Sequence, residues 1–265
     1  MCAVKARRLA RALLLVPYQL FIIIIFFLLV TLLAIGGCLA SLFDRGGARI
    51  HKCLTYWARA CLFLSGLSIH IEGLERLNPG GTYVFMANHA SFLDILLVFA
   101  YVPHDFRIIA KEEVFSIPVM GWILKRSNQV SMDRTNPRKG LASLRRAAAL
   151  LKEGISIVVF PEGTRTTDGA IQEFKATLFV LPIRAGVSVV PVLIEGTFHA
   201  LRRGSFLLNP APLKMTFHEP IHAGVLKDRD RWTFARKVQD ILAASTAPAF
   251  VDERTTLTNL ESKRS

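Results

Sequence analysis

Acidic residues are scarce in this chain: 20 Asp and Glu stand against 33 Lys and Arg in 265 residues, a formal net charge of +13. Cysteine is scarce too. Its four copies, Cys2, Cys38, Cys53 and Cys61, all lie in the first quarter and form no CxxC pair. They suggest neither a disulfide framework nor a zinc site, and read as packing residues in a reducing compartment. No metal is expected. Several catalytic signatures are also missing: there is no GxxxxGK[ST] loop, no GxSxG elbow, no HExxH and no GxGxxG. A covalent acyl-enzyme route therefore has no obvious nucleophile. Nor is hydrophobicity lacking, as it is in disordered chains: 52% of residues are hydrophobic and the mean hydropathy is +0.38. Positive charge in so apolar a chain argues against a nucleic-acid partner and for an anionic membrane surface.

Residues 12–43 carry no charge at all. As one helix at about 1.5 Å per residue they would reach roughly 48 Å, well past a hydrocarbon core of roughly 30 Å. Such a segment has to tilt, bend or lie flat, with Pro17 and Gly36-Gly37 as break points. It is too long for the apolar part of a cleaved signal, and no A-x-A site follows it, so a retained anchor is expected. Lys5, Arg7, Arg8 and Arg11 place the N-terminus in the cytoplasm. Arg45, Arg49 and Lys52 on the other flank favour a hairpin whose second limb is Ile50 to Leu67, with Tyr56 and Trp57 in the interfacial belt. The expected organisation is a membrane anchor over residues 1–67, as hairpin or span, an α/β domain over 68–250, and a polar tail over 251–265.

Past Ser68, β-prone runs alternate with helical stretches. Thr82 to Met86, Phe106 to Ala110, Gln129 to Met132, Ile155 to Phe160, Val187 to Ile194 and Leu213 to Phe217 read as strands. Asn136 can cap a helix that begins at Pro137, runs to Glu153 and is closed by Gly154; Phe174 to Ala185 reads as another, closed by Gly186. The alternation predicts an α/β fold with a largely buried sheet flanked by helices, since two of the strands are apolar on both faces.

Four constellations could carry chemistry. Asn88-His89-Ala90-Ser91-Phe92-Leu93-Asp94 follows a strand and opens a helix, so the Asp94 carboxylate can fold back on the His89 imidazole. That is the arrangement that takes a proton from a hydroxyl, although by spacing alone a capped helix with an incidental histidine reads equally well. Phe160-Pro161-Glu162-Gly163-Thr164-Arg165 leaves another strand. Gly163 lets backbone approach a ligand, while Thr164 and the planar fork of Arg165 suit anionic oxygens; a tight turn with a solvated arginine is the plainer reading. Lys111 and the pair Asp133-Arg134 fall where strands end, the usual ligand edge of an open α/β sheet. Val190 to Thr197 is a core strand ending in a Gly-Thr turn. The basic run Arg138, Lys139, Arg145, Arg146 and Lys152 is a solvated helix face that could also press on anionic lipid.

Taken in order, these blocks resemble the glycerophospholipid acyltransferase family typified by 1-acylglycerol-3-phosphate acyltransferase. The resemblance covers about residues 70 to 220 and departs at Ser127, where a glycine is usual, and at Ala176-Thr177. It implies the glycerolipid acyltransferase fold, with transfer of a fatty acyl group from acyl-CoA or acyl carrier protein to the sn-2 hydroxyl of lysophosphatidic acid, giving phosphatidic acid without a cofactor. By that resemblance His89 is the general base and Asp94 its orienting partner, while Arg134, Glu162, Gly163, Thr164 and Arg165 shape the phosphate site and Lys111 is a further substrate-binding residue. The expected setting is a membrane with the site facing the cytoplasm, a bacterial inner membrane rather than endoplasmic reticulum. Another acceptor, such as a lyso-ornithine lipid, keeps the reaction; a non-catalytic lipid-binding protein would leave His89 and Asp94 as helix capping.

Overall fold

A computed structural model describes residues 46–133, 135–205 and 207–246, with scattered positions between 21 and 39. Seven strands form one sheet: β1 (Ile69–Glu72), β2 (Tyr83–Ala87), β3 (Phe106–Lys111), β4 (Val130–Met132), β5 (Ser156–Val159), β6 (Ser188–Glu195) and β7 (Leu213–Phe217). Their spatial order is β1-β7-β6-β2-β5-β3-β4. Every neighbouring pair is parallel except β6 with β7, so the sheet is mixed. The central strands β2 and β5 are buried at every position, as their unbroken apolar runs require of strands covered on both faces. The six strands anticipated from sequence all form. Strand β1 was not anticipated: Ile-His-Ile-Glu is four residues long, lies at the sheet edge and alternates half-buried with exposed.

On one face lie α1 (Ala48–Leu64) and α2 (Leu93–Tyr101), with α3 (Met120–Arg126) at its margin. On the other lie α4 (Pro137–Lys152), α5 (Val180–Ala185) and α7 (Arg231–Ser245); the single turn α6 (Thr197–Ala200) follows β6. Helix α4 starts as its sequence dictates, with the Asn136 side chain accepting hydrogen bonds from the Arg138 and Lys139 amides at 3.0 and 3.2 Å. The helix expected from Phe174 begins later, at Val180, after a 3₁₀ turn over Ala176–Phe179. The reason lies in the amides: Phe174 N donates to Gln239 Oε1 and Lys175 N to Pro161 O, which holds those residues extended.

Helix α1 turns Ile50, Leu54, Trp57, Ala58 and Leu62 into the core against α2 and leaves Tyr56 and Phe63 exposed. Trp57, expected in an interfacial belt, is therefore an interior residue; Tyr56 alone of that pair faces outward. Among the described residues no helix is long and apolar enough to cross a membrane. Much of the expected anchor, residues 1–20 and 40–45 included, and the tail 251–265 lie outside the described residues.

Candidate active site

Because β2, β3, β5 and β6 run parallel, their carboxyl ends share one edge of the sheet, where the loop after β2 carries His89. Asn88 sets the start of that loop. Its side-chain amide donates to Ile194 O at 2.8 Å and accepts from Ile194 N at 2.7 Å, extending the β2–β6 ladder by one side chain. Asp94, in the first turn of α2 and fully buried, then gathers the loop. Its Oδ2 accepts from the amides of Ala90 at 2.6 Å and Ser91 at 2.8 Å, and meets His89 Nδ1 at 2.8 Å. A carboxylate only accepts, so Nδ1 carries the ring proton and Nε2 is left with its lone pair. The imidazole stacks on Phe160, centroids 4.2 Å apart and planes 24° from parallel. A base fixed in tautomer and orientation by a buried acid suits proton abstraction from an alcohol.

The β5 exit loop braces the histidine from below. Glu162 Oε1 accepts from His89 N at 2.7 Å and Oε2 from Gln172 N at 3.0 Å, while Thr166 N donates to His89 O at 2.9 Å. Burial pushes the Glu162 carboxyl up to about 7, and the charges of Asp94 and Asp168 push the same way, against the pull of the two amides. Both carboxyl oxygens are taken up by backbone, so Glu162 shapes the loop rather than offering an oxygen to a ligand.

Gly163 has φ of 78°, and a Cβ there would meet Lys175 Nζ at 2.8 Å. The glycine thus serves both the turn and the passage of a lysine across it. Thr164 is exposed, and Arg165 is half-buried with no hydrogen-bond or ion-pair partner among the described residues. Lys111 ends β3 on the same edge, its Nζ 2.6 Å from Glu113 Oε1. Arg134 lies outside the described residues. Its neighbour Asp133 is a turn former: Oδ1 accepts from Thr135 Oγ1 at 2.7 Å, Thr135 N at 2.8 Å and Asn136 N at 3.1 Å. Those bonds, with Thr135's hydroxyl first, hold its carboxyl well below the usual range.

The structure therefore brings His89 and Asp94 into contact and sets Glu162, Gly163 and Arg165 beside them. Lys175 escaped the sequence reading. The signal was there, since Lys175 directly precedes Ala176-Thr177, where the resemblance departs. At Ser127 the usual glycine proves unnecessary: its φ is −82°, and Asn128, at 59°, takes the left-handed position.

A family model described as acyltransferase matches residues 68–195. A chloroplast 1-acyl-sn-glycerol-3-phosphate acyltransferase of Arabidopsis thaliana is 36% identical over 197 residues, 73% of this chain and 55% of that protein. An enzyme of the same name from Limnanthes alba is 30% identical over 198 residues, 71% of this chain and 68% of that one. The crystal structure of the 1-acyl-sn-glycerophosphate acyltransferase of Thermotoga maritima is similar at a TM-score of 0.73 and 27% identity, covering 89% of this chain and 95% of that chain. The chain spans about half the length of the relatives from Arabidopsis thaliana, Brassica napus and Cocos nucifera, at 55, 57 and 53%.

Proposed function

This chain belongs to the acyltransferase family of the 1-acyl-sn-glycerol-3-phosphate acyltransferases, and from that premise we propose that it acylates the sn-2 hydroxyl of lysophosphatidic acid from acyl-CoA or acyl carrier protein. His89 Nε2 takes the hydroxyl proton as the alcohol oxygen attacks the thioester carbonyl. The tetrahedral oxyanion collapses, the C–S bond breaks, and the imidazolium returns its proton to the departing thiolate. Asp94 steadies the imidazolium while remaining ionised. Arg165 and Lys111, with Arg134, hold the phosphomonoester, a task suited to a guanidinium fork with no partner among the described residues. The observation that carries this reading is the 2.8 Å contact of His89 Nδ1 with Asp94 Oδ2, on the sheet edge that also bears Arg165 and Lys111.

A substrate that resides in a bilayer calls for a membrane-seated enzyme. Phe21, Ile24, Leu28, Leu32, Ile35 and Leu39 are exposed at steps of three and four residues, one face of a helix, and support seating on an anionic surface together with the net charge of +13.

The test is a panel of lysolipids with and without a phosphomonoester, offered with both donors to the wild type and to His89→Ala. Lysophosphatidic acid should be the acceptor consumed, and the substitution should lower kcat by about 10² to 10⁴ with an unchanged unfolding midpoint. Preference for a lyso-ornithine lipid would move the acceptor. Full activity of His89→Ala would remove the mechanism, and no turnover in any mixture would leave a lipid-binding protein.

A further inference from the structure

The loop between β3 and α3 departs from the usual scatter of single apolar residues on a surface. Ser116, Ile117, Pro118 and Val119 are all exposed, and so is Trp122 three residues on. A lone surface hydrophobe needs no explanation, whereas a run of them at a loop tip marks a contact surface. The backbone beneath is strained as well. Val119 has φ of 63° and ψ of −59°, the centre of a γ-turn closed by Met120 N donating to Pro118 O at 2.7 Å. A β-branched residue is costly in that region. Gly121 lets α3 press on the 3₁₀ turn over Glu112–Ser116 so closely that a Cβ would collide with the Phe115 carbonyl. Packing thus imposes the turn, and strain so imposed collects at functional segments.

The surroundings of the tip say what covers it. Trp122 closes over Gly37, where a Cβ would stand 3.8 Å from its ring. Gly37 belongs to the segment whose stripe from Phe21 to Leu39 is exposed, so the tip adjoins that stripe. Cations stand on its other side. Lys125 and Arg126, both exposed, end α3, and the Ser127 backbone that follows lies 2.8 Å from where a Cβ on Gly47 would be. The exposed Arg49 and Lys52, at the start of α1, therefore emerge beside them. An apolar tip with a tryptophan, rimmed by lysine and arginine, has the composition of segments that lie in the interface of an anionic bilayer. It is too small for a stable protein interface, which takes roughly 20 to 30 residues a side.

We propose that the tip from Ile117 to Trp122 enters an anionic bilayer as a second contact, made by the α/β domain itself. The inference rests on the membrane seating proposed above and adds what fixes the domain's orientation. One helical stripe leaves the domain free to roll about the helix axis, and a contact off that axis removes the freedom. Its place in the chain ties this to the reaction. Ile117 lies six residues after Lys111, the end of β3, and the 3₁₀ turn between them packs on β3 and β4. Seating the tip brings that edge of the sheet toward headgroup height, where the phosphate and hydroxyl of a lysolipid lie.

The chain's three tryptophans make the test direct. Trp57 is buried and Trp232 is exposed on α7, across the sheet, which leaves Trp122 as the one that should meet lipid. The full chain is bound to vesicles of phosphatidylglycerol and phosphatidylcholine, the latter brominated on its acyl chains. Wild-type emission should be quenched, and Trp122→Phe should lose most of that quenching. A double variant, Ile117→Asn with Val119→Gly, should raise the KM for vesicle-borne lysophosphatidic acid about tenfold. With a short-chain, monomeric acceptor its KM and kcat should match wild type. Its unfolding midpoint should be no lower, since glycine relieves the turn. Quenching that survives Trp122→Phe, an unchanged vesicle KM, an equal rise for both acceptors, or a lowered midpoint would overturn the assignment. So would a wild-type dimer in sedimentation that the double variant dissociates, which would make the tip a face between copies. A wild type whose Trp122 is quenched yet acylates no lysolipid would keep the insertion and overturn the function proposed above.

Discussion

Glu162 is the residue whose surroundings pull hardest in opposite directions. Its carboxyl, raised to about 7 against a usual 4.5, is protonated in the folded chain at a pH where the unfolded chain has already lost the proton. The folded state therefore binds more protons between about 4.5 and 7, and stability from this group is present at low pH and lost as pH rises through 7. The loss should be on the order of 3 kcal/mol. Urea midpoints at pH 5 and pH 8 check this: wild type should weaken relative to Glu162→Gln across the interval, and parallel curves would contradict the assignment. Lys175 gives a second prediction. Its ammonium lies over Gly163 in the turn that ends with Arg165, so Lys175→Met should raise the KM for lysophosphatidic acid about tenfold. A monoacylglycerol acceptor, lacking the phosphate, should show no such rise. At this scale spacing offered His89 and Asp94 as partners five residues apart across one turn, and only the family resemblance set that reading above helix capping. It concealed the duty of Glu162, whose partners are backbone amides 73 and 10 residues away.

Helix α1 is the element whose role changed most between sequence and structure. Arg49, Lys52, Tyr56 and Arg59, exposed at steps of three and four, mark its outward face and leave Trp57 on the inner side, but whether lipid or protein covers that inner side shows only once α2 is in place. The docking is reinforced at its N-terminal end. The His51 ring packs edge-on against Phe106 at 4.5 Å, and the fully buried Arg107 donates to Asp105 Oδ1 and to Gly46 O, the residue two positions before α1. Burial pushes the His51 imidazole down to about 4, the Arg107 charge adding and Asp105 opposing. It is therefore neutral at pH 7, and its 3.9 Å approach to Asp105 is not an ion pair there. Between about 6.5 and 4 the unfolded chain binds a proton that the folded chain refuses, so stability falls as pH falls through that window. His51→Leu should flatten a loss on the order of 2 to 3 kcal/mol between pH 7 and 4.5, read from thermal or urea unfolding. Trp57→Ala should cost about 3 to 5 kcal/mol, as for any large aromatic removed from an interior; a cost below 1 would mean that α1 is not docked. The strands were legible because unbroken apolar runs have few other uses. Edge strand β1 was not, because four alternating residues also fit a loop.

For the whole molecule, the governing feature is that β2 occupies the interior of the sheet, with a parallel neighbour on each side. No single stretch of sequence announces it. The order β6-β2-β5 is a property of the crossovers, and only the assembled sheet brings the loops after β2, β5 and β6 together around His89. A base that acts on the acceptor hydroxyl itself has a kinetic signature. With no nucleophile expected beside His89, the acyl group has no need to rest on the protein between arrivals. Double-reciprocal plots at several fixed acceptor concentrations should then intersect, the mark of a ternary complex, rather than run parallel as in ping-pong exchange.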